Sequence, residues 1–203
     1  GTKSPTADRF PLLFKLIDAR WPLSIQVHPN NGNAALTGGE PKTEAWYVIK
    51  AFPGAALYAG LKHRFEEQDL RDIVAQGPIL LDQLNPLQVT EGDMLYVPGG
   101  MPHAIGKGCL LMEIQEPTDY TFRTEKVTPQ GFAISEKACH YGIGFDNMFK
   151  CFHYEGYDEA ETRRRRMVAP ETQEATDAFT RTRIVGYGAT PCFELERYDI
   201  RGT

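Results

Sequence analysis

The sequence predicts a mainly β protein: a sandwich or barrel of short strands with one short inserted helix, then a mixed α/β connector. Three observations predict it. From residue 12 to about residue 123 the chain is a series of short apolar or alternating runs cut by Gly, Pro and Asn, the pattern of a closed or layered antiparallel sheet. A single helical pattern interrupts the series. After Pro129 the texture changes to aromatic and charged residues that include a second helical stretch.

Taken in order, the expected strands are residues 13–19, 24–28, 45–51, 55–59, 87–89, 94–97, 110–115 and 120–123. The inserted helix starts at Glu66-Glu67-Gln68-Asp69, which places negative charge at the positive end of the helix dipole. Leu70, Ile73 and Val74 form its apolar stripe, and Gly77 supplies the stop. In the connector, residues 158–168 read as a helix and residues 170–182, which are polar, as a linker. Strand patterns resume at 182–187 and 192–200. The last of these puts Phe193, Leu195 and Arg197 on one face and Glu194, Glu196 and Tyr198 on the other. The expected organisation is therefore a first domain at 1–125, a connector at 126–182, and the start of a second β domain at 183–203.

Composition excludes several classes of function. The chain has 203 residues, 41% of them hydrophobic and 24% charged, with a net charge of −5. That is enough chain to bury roughly 70% of its unfolded surface. A mildly acidic chain lacks the basic footprint that phosphate backbones select, so nucleic acid is not the expected partner. The basic run Arg163-Arg164-Arg165-Arg166 lies among Glu155, Asp158, Glu159 and Glu161 and reads as a solvated helix face. No run of 18 apolar residues occurs, and Lys3, Asp8, Arg9, Lys15 and Asp18 interrupt any apolar signal core near the start, so no membrane partner is expected. Cys109, Cys139, Cys151 and Cys192 contain no C-x-x-C pair. They read as reduced thiols, and the expected compartment is the cytoplasm.

Two segments carry chemistry. In Ser24-Ile25-Gln26-Val27-His28-Pro29, strand parity turns Gln26 and His28 to one face and Ile25 and Val27 to the other, apolar one. In Lys42-Thr43-Glu44-Ala45-Trp46-Tyr47, Glu44 opens an apolar strand, where a carboxylate is costly unless paired or coordinated. The second segment runs from Gly92 through Met94-Leu95-Tyr96-Val97 to Pro98-Gly99-Gly100-Met101-Pro102-His103. It delivers a histidine to the start of the next strand. Imidazoles with a carboxylate suit a divalent transition metal such as zinc.

These segments resemble the paired motifs of the cupin superfamily. Gly92, Pro98, Gly100 and His103 match its G-x5-P-x-G-x2-H pattern, and His28 and Glu44 match its first motif, with Gln26 where many members have another histidine. Within the cupins, Phe10-Pro11-Leu12-Leu13-Phe14-Lys15, Leu23-Ser24-Ile25-Gln26-Val27-His28-Pro29, Lys42-Thr43-Glu44-Ala45-Trp46-Tyr47, Glu113-Ile114-Gln115 and Thr118-Asp119-Tyr120-Thr121-Phe122-Arg123 resemble the type I mannose-6-phosphate isomerases, the shorter bacterial branch most of all.

The resemblance implies a cupin-type jelly roll and one zinc held by His28, Glu44 and His103, with Gln26 as fourth ligand. It implies Arg123 and Lys42 as catalytic groups and Ser24 near the substrate phosphate. The implied substrate is a sugar phosphate, and the reaction is interconversion of mannose 6-phosphate and fructose 6-phosphate through a cis-enediolate. Arg123 would face the developing oxyanion. Lys42 would share that work or serve as a base. Glu113 and Gln115, on one strand face, would orient a ligand. His63 reads as a solvated residue near the helix start, and His140 and His153 as structural. One departure matters: the lysine that some members carry after Thr-Pro is Gln130 here. Two alternatives stand beside this reading: a sugar-binding cupin without turnover, and a metal-dependent cupin oxygenase. By the same resemblance the chain is expected to be the core and connector of a longer protein, cut at both ends.

Overall fold

A computed structural model describes residues 10–38 and 40–202. Its strands are β1 (Leu13–Ala19), β2 (Gln26–Val27), β3 (Glu44–Ala51), β4 (Ala56–Leu61), β5 (Leu84–Gln88), β6 (Met94–Val97), β7 (His103–Ile105), β8 (Cys109–Gln115), β9 (Phe122–Arg123), β10 (Glu171–Ala175), β11 (Phe179–Val185) and β12 (Leu195–Ile200). Its helices are α1 (Glu67–Ala75), α2 (Glu136–His140), α3 (Phe145–Phe149) and α4 (Glu159–Arg166). One sheet has the order β1-β8-β3-β6 and a second the order β5-β4-β7-β2-β9, with antiparallel pairing in both. They face each other as the expected cupin-type jelly roll.

Strand parity decides what fills the space between them. Trp46, Val48 and Leu111 from the first sheet meet Leu57, Ala59 and Ile105 from the second, all nearly fully buried. The opposite face of the second sheet presents Ile25, Val27, Leu61, Ala104 and Phe122 to α1 and to Met148, Phe149 and Phe152 of the connector. The opposite face of the first sheet presents Ala45, Met94 and Ile114 to Ile184, Val185 and Phe193. The jelly roll is thus wrapped on both sides by the chain that follows it. The inner layer leaves one end for polar side chains, and the candidate site lies there.

Local chemistry accounts for most element ends. Helix α1 carries Glu67 and Asp69 in its first turn, and Gly77 at φ +106 follows its last one, as expected. Helix α4 is capped by Asp158, whose carboxylate accepts the Glu161 N–H at 2.8 Å, an Asp-x-x-Glu start. Its basic run is a salt-bridged face: Arg164 and Arg165 both pair with Glu161 at 2.6 Å, and Arg163 donates to the Gln88 carbonyl.

Several expected element bounds needed correction, among them 87–89, which is part of the longer β5, and 120–123, which is regular only in β9. Strand 24–28 is regular only at Gln26–Val27. The Glu125 carboxylate takes the Ile25 N–H at 2.8 Å, and Pro29 has no N–H to offer. The polar stretch 170–182, expected as a linker, is β10 and the first half of β11. Strand β10 is an exposed edge strand whose side chains are satisfied by charge across the ladder, Glu171 with Arg183 at 3.6 Å and Glu174 with Arg181 at 3.7 Å. Polar edge strands protect a sheet from further pairing, and that polarity is what made the stretch read as a linker. The boundary drawn at 182/183 accordingly falls inside β11.

The connector is locked to the jelly roll by one buried amide. Asn85 Nδ2 lies 3.0 Å from the Tyr157 carbonyl and 3.0 Å from Thr162 Oγ1, with Gly60 and Leu61 carbonyls slightly further away. Leucine at this position keeps the volume but strands those acceptors, at about 1–3 kcal/mol. We expect Asn85→Leu to lower the urea midpoint with an unchanged m-value; an unchanged midpoint would mean the lock contributes nothing.

Candidate metal centre

Four strands aim their side chains at one point. Gln26 stands opposite His103 on one side and Arg123 on the other, so one row across the second sheet holds an amide, an imidazole and a guanidinium. In the facing sheet Glu44 opens β3 opposite Gln115, and Trp46 stands opposite Glu113. His28 follows β2 on the same face as Gln26. His28, Glu44 and His103 are all buried, and their ligand atoms lie within 4.8 Å of one another.

Backbone contacts orient both imidazoles. His28 Nδ1 lies 2.8 Å from the Tyr120 carbonyl, and His103 Nδ1 lies 2.8 Å from the Met101 carbonyl. A carbonyl can only accept, so each Nδ1 carries the proton and each Nε2 presents a lone pair. Both Nε2 atoms are buried and make no hydrogen bond. His28 Nε2 sits 3.0 Å from Glu44 Oε1, and His103 Nε2 sits 3.8 Å from Glu44 Oε2.

Protonation does not relieve that convergence of lone pairs. Burial holds His28 below the ordinary imidazole value, although Glu44 opposes it, and burial with the neighbouring His28 pushes His103 down to about 3. Burial alone would raise the Glu44 carboxyl, but its close neighbours His28 and Lys42, the latter a cation, outweigh it and keep the acid well below the usual range. The site is therefore two neutral imidazoles and a carboxylate converging without a bridging proton. That donor set fits a divalent cation.

The surroundings hold the carboxylate in place. Lys42, 2% exposed, reaches Glu44 Oε1 at 2.6 Å. The Trp46 indole N–H lies 3.1 Å from Glu44 Oε2 and also 3.1 Å from Glu113 Oε2. Lys15 completes the chain, 3.1 Å from Glu113 and 2.9 Å from Asp119, and it donates to Gln115 at 2.8 Å. Burial and the nearby Glu44 charge raise the Glu113 carboxyl. The bond from Lys15 lowers that of Asp119.

A cavity of about 390 Å³ opens on this group. Gln26, Lys42, His103, Glu113 and Arg123 line it, together with Lys15. Of the residues expected from sequence, it thus brings Gln26, His28, Lys42, Glu44, His103 and Arg123 together at or around one volume. Ser24 is placed elsewhere: it is buried, bonds Glu125 and does not line the cavity. Gln130 is remote too, donating to the Pro22 carbonyl at 3.0 Å. Sequence reasoning gave Lys15 and Asp119 no role. A lysine on the same strand parity as the inward-facing Ile17 and Ala19 was the available signal for the first. A larger cavity, of about 600 Å³, shares Leu23, Ala104 and Ile105 with this one but is mostly apolar and holds none of the expected site residues.

Known proteins similar to this chain come from one group of enzymes. A family model described as phosphomannose isomerase type I, catalytic domain, matches residues 2–51, which include Gln26, His28, Lys42 and Glu44. The crystal structure of the mannose 6-phosphate isomerase from Bacillus subtilis superposes with a TM-score of 0.73 over 97% of this chain, at 28% identity. The chain is similar in sequence and in fold to phosphomannose isomerases of type I. Mannose-6-phosphate isomerase of Streptococcus mutans is 46% identical over 116 residues, or 56% of this chain, and ManA of Bacillus subtilis is 41% identical over 118 residues, or 57%. These alignments cover 36% and 37% of those two relatives, and the superposition covers 58% of the crystallised one. The chain therefore spans only part of the length of the phosphomannose isomerases it matches. No helix among the described residues is long and apolar enough to cross a membrane.

Proposed function

We propose that the protein carrying this chain interconverts mannose 6-phosphate and fructose 6-phosphate, with one zinc ion at the His28–Glu44–His103 group and Gln26 as the fourth ligand. One observation carries the proposal. Two buried, hydrogen-bond-free imidazole nitrogens and a carboxylate converge at a cavity that Lys42 and Arg123 also line. Nitrogen and oxygen donors suit zinc, which when bound polarises sugar oxygens and helps hold the open-chain substrate.

The chain's own residues would supply the rest. Isomerisation moves a proton from the carbon beside the carbonyl to the carbonyl carbon itself, with a second proton passing between their oxygens, and charge develops on oxygen in the enediolate. Arg123 stands beside Gln26 in the same row of the sheet, and its guanidinium accepts no bond and stays charged, so it suits that oxyanion. Lys42 and Glu113 line the cavity beside the metal group and would be the groups that exchange that proton. A second cavity, of about 340 Å³, shares Arg123 and Tyr141 with the first and adds Ser135 and Lys137. The phosphate would extend there, toward cationic side chains, and not toward Gln130. The four thiols are free, which suits the reducing cytoplasm.

The test is turnover by the zinc-loaded protein with mannose 6-phosphate and with mannose, following ketose formation. The proposal expects turnover of the phosphate ester and little with the free sugar. Equal rates on both would refute the phosphate placement, and no reaction on either would refute the isomerase reading.

A further inference from the structure

We propose that His153, far along the connector, is a positioning residue for the metal centre: it closes a hydrogen-bonded ring that fixes the His28 and His103 loops relative to each other. The proposal rests on the metal-site reading above. Gly100, three residues before His103, donates its N–H to the His28 carbonyl at 2.7 Å. His153 donates its backbone N–H to the Gly100 carbonyl, also at 2.7 Å. Asn30, two residues after His28, lies with its Nδ2 2.9 Å from His153 Nε2. The ring therefore runs from His28 to Gly100, to His153, to Asn30, and back along the chain to His28.

Each member is held in its role. Asn30 Oδ1 accepts the Gly32 N–H at 2.8 Å, and the Asn30 N–H donates to Asn33 Oδ1 at 2.8 Å. The amide is thus oriented with its NH₂ toward His153, and His153 Nε2 must accept. The imidazole lies so close to the loop that a Cβ on Gly100 would come within 2.7 Å of its Cδ2 and Nε2. Gly100 also sits at φ +92, which side-chain-bearing residues rarely adopt. Glycine is required there twice, once by the backbone and once by the ring. The neighbours on the connector, Phe152 and Tyr154, already fill the apolar space. A residue that served only packing would need no acceptor nitrogen. What the nitrogen adds is a tie between two loops, each bearing one metal histidine. Outer groups that orient ligands change metal affinity without touching the ion.

The test compares zinc affinity, by competition with a chromophoric chelator, in the parent, His153→Phe, His153→Gln, Asn30→Ala and the double variant. Phenylalanine keeps the ring and deletes the acceptor; glutamine restores an acceptor without the ring. Removing an orienting group of this kind weakens metal binding by about 10- to 100-fold, so we expect at least the lower figure for His153→Phe, and most of it recovered in His153→Gln. Asn30→Ala should weaken binding to a similar degree, and the double variant should be no weaker than the worse single one. Affinity within about twofold of the parent in His153→Phe, or additive losses in the double variant, would overturn the proposal while leaving the metal site standing. If His153→Phe does not fold, Asn30→Ala, which leaves the ring in place, decides the same question. A parent that binds no zinc would refute the metal reading itself, and this inference with it.

Discussion

His103→Ala should leave a folded chain that binds zinc about a hundredfold or more weakly and has lost the proposed isomerase activity. The reasoning starts from the backbone. Pro98, Gly99 and Gly100 deliver His103 to the first position of β7, and the Met101 carbonyl fixes its Nδ1–H. Removing the buried imidazole takes away one of the two neutral nitrogen donors and leaves His28, Glu44 and Gln26 of the four proposed ligands, with a single imidazole among them. Metal binding is also folding free energy. A ligand present at a hundred times its Kd stabilises the native state by about 2.7 kcal/mol. For a domain of this size, at ~2–4 °C per kcal/mol, that predicts a zinc-dependent rise of roughly 5–11 °C in the parent's melting temperature. In His103→Ala, thermal scans with and without zinc should coincide. A zinc-dependent shift equal to the parent's would show that His103 is not a ligand.

Arg123→Ala should separate binding of the metal from chemistry. Its guanidinium lines the cavity and, among the described residues, makes only a long contact within its own segment, 3.5 Å to the Thr121 carbonyl. No carboxylate is bonded to it, so its removal leaves no buried charge unpaired and little cost to folding is expected. Deleting a donor aimed at a developing oxyanion lowers kcat by about 10²–10³-fold. Zinc affinity should stay at the parent's value. Loss of zinc together with activity in Arg123→Ala would place the arginine in the metal site's support and contradict the role given to it.

Much of the site could be read from the sequence because strand parity is local. Gln26 and His28 share a face, with Ile25 and Val27 buried on the other, and the structure places all four that way. Glu44 at the head of an apolar strand signalled a carboxylate with a partner, and its partners are Lys42, the Trp46 indole and the two histidines. Strands β1 and β6 run from end to end as their alternation predicts.

What stayed hidden depends on contacts distant in sequence. Lys15 gains its meaning from Glu113 and Asp119, about a hundred residues away. The hydroxyl of Ser24 is diverted by Glu125, and no local pattern announces that contact. Strand β10 is polar on both faces because both are exposed at the sheet edge and its backbone ladder to β11 holds it, and polarity is the feature that linkers share. Helices α2 and α3 have five residues each, too few for an apolar period to show.

If one metal at His28, Glu44 and His103 supports the aldose–ketose isomerisation, activity must follow metal occupancy. The most direct measurement is a zinc titration of the metal-free protein with mannose 6-phosphate present, reading fructose 6-phosphate formation against bound zinc. We expect no turnover without metal, a linear rise, and a plateau at one zinc per chain. Zinc bound at one per chain with no fructose 6-phosphate formed would contradict it.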